Sequence, residues 1–405
     1  MYIPSEVITL SHHILNENLY SIWWIILSAM LAPVCALLTR KYIADAIWLL
    51  IFGIIIGPQV LKLSHMTEGI QILREIGMGF LFLLAGFEVN TNELKSKQGK
   101  NAFLTWIMGF SFAILLGLAI TRGSLNFSIV LGIATTSTAL GTLLPILKDS
   151  NMLDSNMGKS VLIHGALGEL LPIISMSLLL STFTPWLSTI ILIIFVFLSF
   201  FIVIIPVSFI RKLPLLGNAI LTASRTTMQT TLRITIFILV SLMVLTAMMS
   251  LDIALGAFLA GIFINVILST FSPIHKKEIE NKVEIVGFSF LIPIFFVTSG
   301  MNIDLLKVIN HWYLIMLIVL LILIVRGFTV YIREKLFETG SKLHSNKEKL
   351  ALGLYSASGL PVIVAVTEIA QKNNIIDTTV SSILITSGAI TIFFFPLIAK
   401  IINKN

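Results

Sequence analysis

Apolar segments of about 20 residues follow one another along nearly the whole chain, separated by only a few polar residues. That length is what ~30 Å of hydrocarbon asks of an α-helix, and lipid offers no partner for a backbone group left unbonded. The pattern therefore predicts an all-α polytopic membrane protein. Spans are expected at about 21–39, 43–61, 68–89, 100–121, 126–147, 157–182, 186–210, 227–249, 252–270, 283–300, 307–332, 347–371 and 377–401, which makes about 13 transmembrane helices. Only Thr39 to Tyr42 divide the first two. Composition agrees: of 405 residues 57% are hydrophobic and 12% charged, with a mean hydropathy of +0.99, whereas soluble domains carry about a quarter charged residues.

The net charge of +7 would suit a nucleic-acid partner if the basic residues were clustered without regard to the spans. They are not. Loops after the odd-numbered spans, with the C-terminal tail, hold roughly 21 Lys and Arg, including Lys95, Lys97, Lys100, Lys276 and Lys277; the opposite loops hold about four, Lys62, Arg122, Lys307 and Lys372. The positive-inside rule then puts the N-terminus outside and the C-terminus in the cytoplasm, and no nucleic-acid role is expected. The first 20 residues contain Glu6 and Glu17 but no Lys or Arg, so they do not read as a cleaved signal peptide. Cys35 is the single cysteine, which excludes an internal disulfide. No soluble domain is expected after the last span.

Two segments repeat. Phe80 to Asn92 (FLFLLAGFEVNTN) and Ile294 to Leu306 (IFFVTSGMNIDLL) align Gly86 with Gly300, Glu88 with Asn302 and Asn90 with Asp304. The copies lie seven spans apart, and an odd offset makes the repeat inverted, as in many secondary transporters. ATTSTALG (Ala134 to Gly141) and YSASGLP (Tyr355 to Pro361) have the same offset. Both interrupt an apolar helix with small hydroxyl residues, Thr135, Thr136, Ser137 and Thr138 in the first and Ser356, Ser358, Gly359 and Pro361 in the second. Proline lacks the N–H and clashes with the preceding turn, so a broken helix is expected there. Broken helices at corresponding places in inverted halves mark a binding site, the competing reading being close packing of small residues.

Two charges lie deep. Glu169 is about 12 residues, or ~18 Å of helix, from the cytoplasmic end of its span, and Arg326 falls within IVRGF. A carboxylate at that depth costs roughly 2.5–3.5 kcal/mol on insertion scales, so it usually marks an ion or proton path. Glu169 is expected to bind a proton or a monovalent cation, one displacing the other, with ligand oxygens from Thr135, Thr136, Ser137 and Thr138. Arg326 is expected as counter-charge to the empty site; a purely structural ion pair is the alternative. His164 precedes Glu169 by five residues, about 140° around the helix, so the two do not share a face. It is a candidate pH-sensing group or a hydrogen-bonded packing residue. Arg74 and Glu75, Asp252 and Glu368 lie near span ends, where pairing or snorkelling suffices. There is no H-E-x-x-H metal motif and no phosphate loop, so no enzyme activity and no cofactor are expected.

At these residues the chain resembles the second monovalent cation:proton antiporter family, which includes Kef-type and NapA-type exchangers. The resemblance runs through GIIIGPQVL (Gly53 to Leu61), FLFLLAGFEVN (Phe80 to Asn90), TTSTALGTLLPILKD (Thr135 to Asp149), LGAFLAGIFIN (Leu255 to Asn265) and IPIFFVTSGMNID (Ile292 to Asp304), in that order. GLPVIVAVTEI (Gly359 to Ile369) is similar to the branch without cytosolic regulatory domains. The resemblance implies a homodimer with a scaffold at about 21–89 and 227–300, a linking helix at about 186–210, and a mobile core at about 100–182 and 307–401 that carries two crossed discontinuous helices. It implies Na⁺/H⁺ antiport by alternating access at the plasma membrane, serving pH homeostasis, with K⁺ or Li⁺ as other cations and a cation channel or K⁺ efflux pathway as the alternative. The family's essential acid falls on Glu169. The residue before it, an Asp, Asn or Gln in the common pairs, is Gly168 here. One carboxylate serves one proton or one cation, so electroneutral exchange is expected.

Overall fold

The computed structural model describes residues 5–39, 44–89, 91–121, 123–149, 152–180, 185–212, 229–271 and 273–404. Asn90 of the repeat, Arg122 of the charge tally and the Arg40–Tyr42 connection lie outside them. The described residues contain helices and no strands. In chain order the helices are α1 (Ser5–Leu38), α2 (Asp45–Ile56), α3 (Glu68–Phe87), α4 (Thr91–Leu94), α5 (Lys97–Ile120), α6 (Leu125–Thr136), α7 (Leu140–Asp149), α8 (Asn156–Leu179), α9 (Pro185–Lys212) and α10 (Gln229–Met248). There follow α11 (Ile253–Phe271), α12 (Pro273–Val286), α13 (Ile292–Met301), α14 (Leu305–Asn310), α15 (Trp312–Ile322), α16 (Thr329–Leu336), α17 (Asn346–Ser356), α18 (Leu360–Lys372) and α19 (Thr378–Lys404). Among the described residues nine helices are long and apolar enough to cross a membrane. Shorter apolar helices, Asp45–Ile56, Trp186–Ile202, Leu232–Met248 and Ile253–Ser269, occupy the other predicted positions. The chain is a multi-pass membrane protein.

Local chemistry sets the helix starts. Thr67, Ser96 and Ser155 accept the N–H three residues on, at Ile70, Gly99 and Gly158, and Ser345 with Glu348 forms a capping box at α17. Two helices widen instead of ending. A π-turn at Gly287–Leu291 joins α12 to α13 just ahead of Pro293, which cannot donate to the ladder. This merges the predicted 283–300 span with a polar extension at its start, braced by Lys282–Glu278 at 3.5 Å. A second π-turn, Leu323–Phe328, joins α15 to α16 and contains Arg326.

Packing follows the repeat. α3 packs most closely on α11, and α13 on α2. Each contact is made through paired glycines: a side chain at Gly86 would enter the backbone of Phe258 and Gly261, and one at Gly300 would enter that of Leu50. Gly86 and Gly300 are the positions aligned in the sequence. α1 and α10 pack beside these pairs. A second group is formed by α5, α6, α8 and α15–α19, with α17 and α18 both against α19. Both interrupted helices belong to this group, α6–α7 broken at 137–139 and α17–α18 at 357–359.

Candidate functional site

The two breaks cross and bond directly to each other. The Ala139 N–H donates to the Ser358 carbonyl at 2.5 Å; Thr138 Oγ1 donates to the Ser356 carbonyl at 2.5 Å, and Ser137 Oγ to the Gly359 carbonyl at 3.2 Å. Gly359 has to be glycine because the Ser137 carbonyl occupies the place of a Cβ. Freed backbone groups at membrane depth are thus satisfied across the crossing. Pro361 sits in the first turn of α18, where no N–H is needed.

Glu169, 2% exposed, points from α8 at this crossing. Its Oε1 accepts the Leu140 N–H at 2.7 Å, so the carboxylate caps α7 where the half-helix dipole is positive. Its Oε2 is buried with no hydrogen-bond partner among the described residues. The neighbouring Gly168 carbonyl accepts the Thr138 N–H at 2.9 Å.

Arg326, 1% exposed, reaches the opposite pole of the crossing. Its Nη2 donates to the His164 carbonyl at 2.9 Å and to Thr138 Oγ1 at 3.1 Å; Nε lies 3.3 Å from Thr138 Oγ1 and 3.4 Å from the Ser356 carbonyl. Ser356 is the last residue of α17, whose C-terminal dipole favours a cation. Glu169 and Arg326 are not in ion-pair contact. Each charge is met by a half-helix terminus, a partnership that sequence reasoning did not identify. Arg326 also explains Gly168, since a Cβ there would lie 2.7 Å from Nη2 and inside Thr138.

The hydroxyls expected as ligands divide into two sets. Thr135 and Thr136 donate back to the Leu131 and Gly132 carbonyls of their own helix, each at 2.7 Å. Ser137 and Thr138 reach the second break. Ser356 Oγ and Tyr355 Oη are buried at that break with no partner. Ser358 Oγ donates to the Leu354 carbonyl at 3.4 Å.

His164 faces away from Glu169. Its Nε2 lies 3.9 Å from Glu334 Oε1, and both side chains are buried. Glu334 accepts Thr339 Oγ1 at 2.8 Å and Ser341 Oγ at 2.6 Å. At the other end of the core Arg74 Nη1 pairs with Glu368 Oε1 at 2.8 Å, and Lys372 lies 3.5 Å from Glu75 and 3.3 Å from Glu368. Sequence reasoning missed Glu334 as a site neighbour. It also missed the Arg74–Glu368 pairing, since no local spacing links residues 294 positions apart.

The transmembrane sodium/hydrogen exchanger family matches residues 26–404. The chain is 25% identical to YjbQ of Bacillus subtilis strain 168 over 96% of its own length, spanning 64% of that relative. It is 24% identical to the Na(+)/H(+) antiporter of Enterococcus hirae, covering 91% of this chain and 94% of the relative. The structure of the sodium proton antiporter MjNhaP1 from Methanocaldococcus jannaschii superposes with a TM-score of 0.64 at 19% identity, over 95% of this chain and 96% of that one, which shows a shared fold.

Proposed function

The chain belongs to the sodium/hydrogen exchanger family, and we propose that it exchanges a monovalent cation for H⁺ across the cytoplasmic membrane, Na⁺ first, with K⁺ or Li⁺ as other substrates. On its motifs we place it with the Kef- and NapA-type exchangers. The observation that carries the reading is the state of Glu169. One carboxylate oxygen is tied to a helix N-terminus, and the other is buried beside two crossed breaks with no partner. An uncompensated acceptor in that place costs about 1–3 kcal/mol. A proton removes the cost by neutralising the group; a dehydrated alkali cation removes it by coordination. The two compete for one oxygen, so binding of one expels the other.

Ser137, Thr138 and Ser356 stand closest to the crossing and are the first candidates for further cation ligands, with Thr135 and Thr136 behind them. Arg326 balances charge at the α17 terminus without competing for the carboxylate. Movement of the group holding α5–α8 and α15–α19 against the α1–α3 and α10–α13 group, linked by α9, would expose Glu169 to alternate faces. The glycine-paired contacts inside the α1–α3 and α10–α13 group suit a rigid, dimeric scaffold. A single shared carboxylate gives one H⁺ per cation, an electroneutral cycle, with the N-terminus outside. His164 and Glu334, on the basic-loop side, are candidates for pH sensing.

The test uses purified protein in proteoliposomes with a preset pH gradient. NaCl, KCl or LiCl should dissipate the gradient saturably where choline chloride does not, at a rate indifferent to a potassium-clamped membrane potential. Dissipation by no alkali cation would reject the exchanger, and potential-driven flux would reject electroneutrality.

A further inference from the structure

A cavity of about 360 Å³ lies between α3, α8, α18 and the α10–α11 junction, at the end of the molecule with few basic loop residues. Three carboxylates line it, Glu75, Asp252 and Glu368. Two cations face them. Arg74 and Lys372 bond Glu368, and Lys372 also reaches Glu75. Asp252 has no basic partner within 4.0 Å among the described residues; its Oδ1 accepts the Ala254 N–H at 2.8 Å and caps α11. The cluster therefore carries one negative charge more than its fixed cations can balance. α8 and the α10–α11 connection add, besides Asp252, only uncharged polar groups, Ser177 and Ser250. Ser177 is 2% exposed, and its Oγ has no hydrogen-bond partner among the described residues.

A surplus carboxylate beside an unpartnered buried hydroxyl, in a space large enough for an ion and several waters, is chemistry for a small cation. The position supports transit. Met176, which lines the cavity, is seven residues beyond Glu169 and so lies on the same helix face, about 10 Å along α8. An ion beside Met176 is about two helical turns along α8 from the exchange site.

We propose that this vestibule is a second monovalent-cation site, in which Asp252 and Ser177, backed by Glu75 and Glu368, hold the ion before it reaches Glu169 or after it leaves. The proposal rests on the exchanger reading. Asp252 lies in the α10–α11 connection, where burial pushes its carboxyl up to about 7. It exchanges its own proton for the cation near neutrality, and the vestibule fills as pH rises through that value.

Na⁺ binding to the full chain, titrated calorimetrically in detergent at about pH 8 against choline chloride, tests this. Glu169→Gln should retain one Na⁺ site, and Glu169→Gln/Asp252→Asn should weaken it at least about tenfold, the scale of one charge at close range. Asn still caps α11, so the second variant should fold. Glu169→Gln/Ser177→Ala, which alters no charge, should weaken the same site about threefold to tenfold. A wild-type protein that binds and exchanges Na⁺ while Glu169→Gln binds none would overturn the vestibule site and leave the exchanger standing. Residual binding unaffected by both second substitutions would also overturn it. A wild-type protein that exchanges no alkali cation in proteoliposomes would overturn both readings.

Discussion

Replacing Gly168 with alanine adds one methyl group at the most crowded point of the crossing. The new Cβ would lie 2.7 Å from Arg326 Nη2 and within Thr138, so either side chain must retreat by about 0.7 Å or more to restore ordinary contact. Neither is free to do so. Arg326 is held by the His164 carbonyl at 2.9 Å and Thr138 Oγ1 at 3.1 Å, and Thr138 by the Ser356 and Gly168 carbonyls. Losing one hydrogen bond from a charged donor costs about 1.5–3 kcal/mol, and overpacking a close-packed site adds about 1–3 kcal/mol. Alanine's better helix propensity returns only about 1 kcal/mol. The clash wins, by about 1.5–5 kcal/mol. For a chain of this length that is a fall in melting temperature of roughly 2–10 °C, measurable by size-exclusion-monitored melting in detergent, with exchange in proteoliposomes falling alongside. Gly141→Ala is the control, because its Cβ would meet only Leu81 at 4.0 Å; it should melt at or above the wild-type temperature. A Gly168→Ala protein as stable and as active as wild type would refute the packing account of the missing side chain.

Arg74→Ala should destabilise the detergent-solubilised protein by about 1.5–3 kcal/mol, because it takes the 2.8 Å partner from the partly buried Glu368 carboxylate and leaves only Lys372 at 3.3 Å; Glu368→Gln, which keeps an acceptor, should cost less, and equal melting curves would contradict the pairing. Burial lifts Asp252 to about 7 from 3.8, so its contribution to stability is complete below the lower value and lost as pH rises through the upper one. Melting temperatures measured from about pH 5 to pH 9 should therefore fall less for Asp252→Asn than for wild type, and parallel curves would remove Asp252 from that dependence. His164→Gln should move the pH profile of exchange through loss of its contact with Glu334; an unmoved profile assigns His164 to packing alone.

Much of this architecture was legible in the chain because a bilayer leaves few alternatives. Span length located the helices, and the aligned Gly86 and Gly300 fall at the two glycine-paired helix contacts. The breaks were legible because Gly359, Pro361 and the hydroxyl runs weaken helices in any context. Glu169 stood out by cost alone. What the sequence withheld was partnership. Helical periodicity says which face a residue occupies, not which terminus it meets, so the partners of the two charges, Leu140 for Glu169 and Ser356 with His164 for Arg326, were not legible. The π-turn that carries Arg326 has no signature in IVRGF. Gly168 reads as an absent side chain in the sequence; in three dimensions its place is taken by the Arg326 guanidinium.

The most direct measurement is proton release on cation binding. Purified protein in weakly buffered detergent at about pH 8, where Asp252 is already ionised, should release H⁺ in proportion to the Na⁺ bound at the crossing. Glu169→Gln should fold, elute as wild type and release none. Na⁺ binding at the crossing without proton release, or release unchanged in Glu169→Gln, would contradict the claim that one buried carboxylate is shared in turn by H⁺ and the cation.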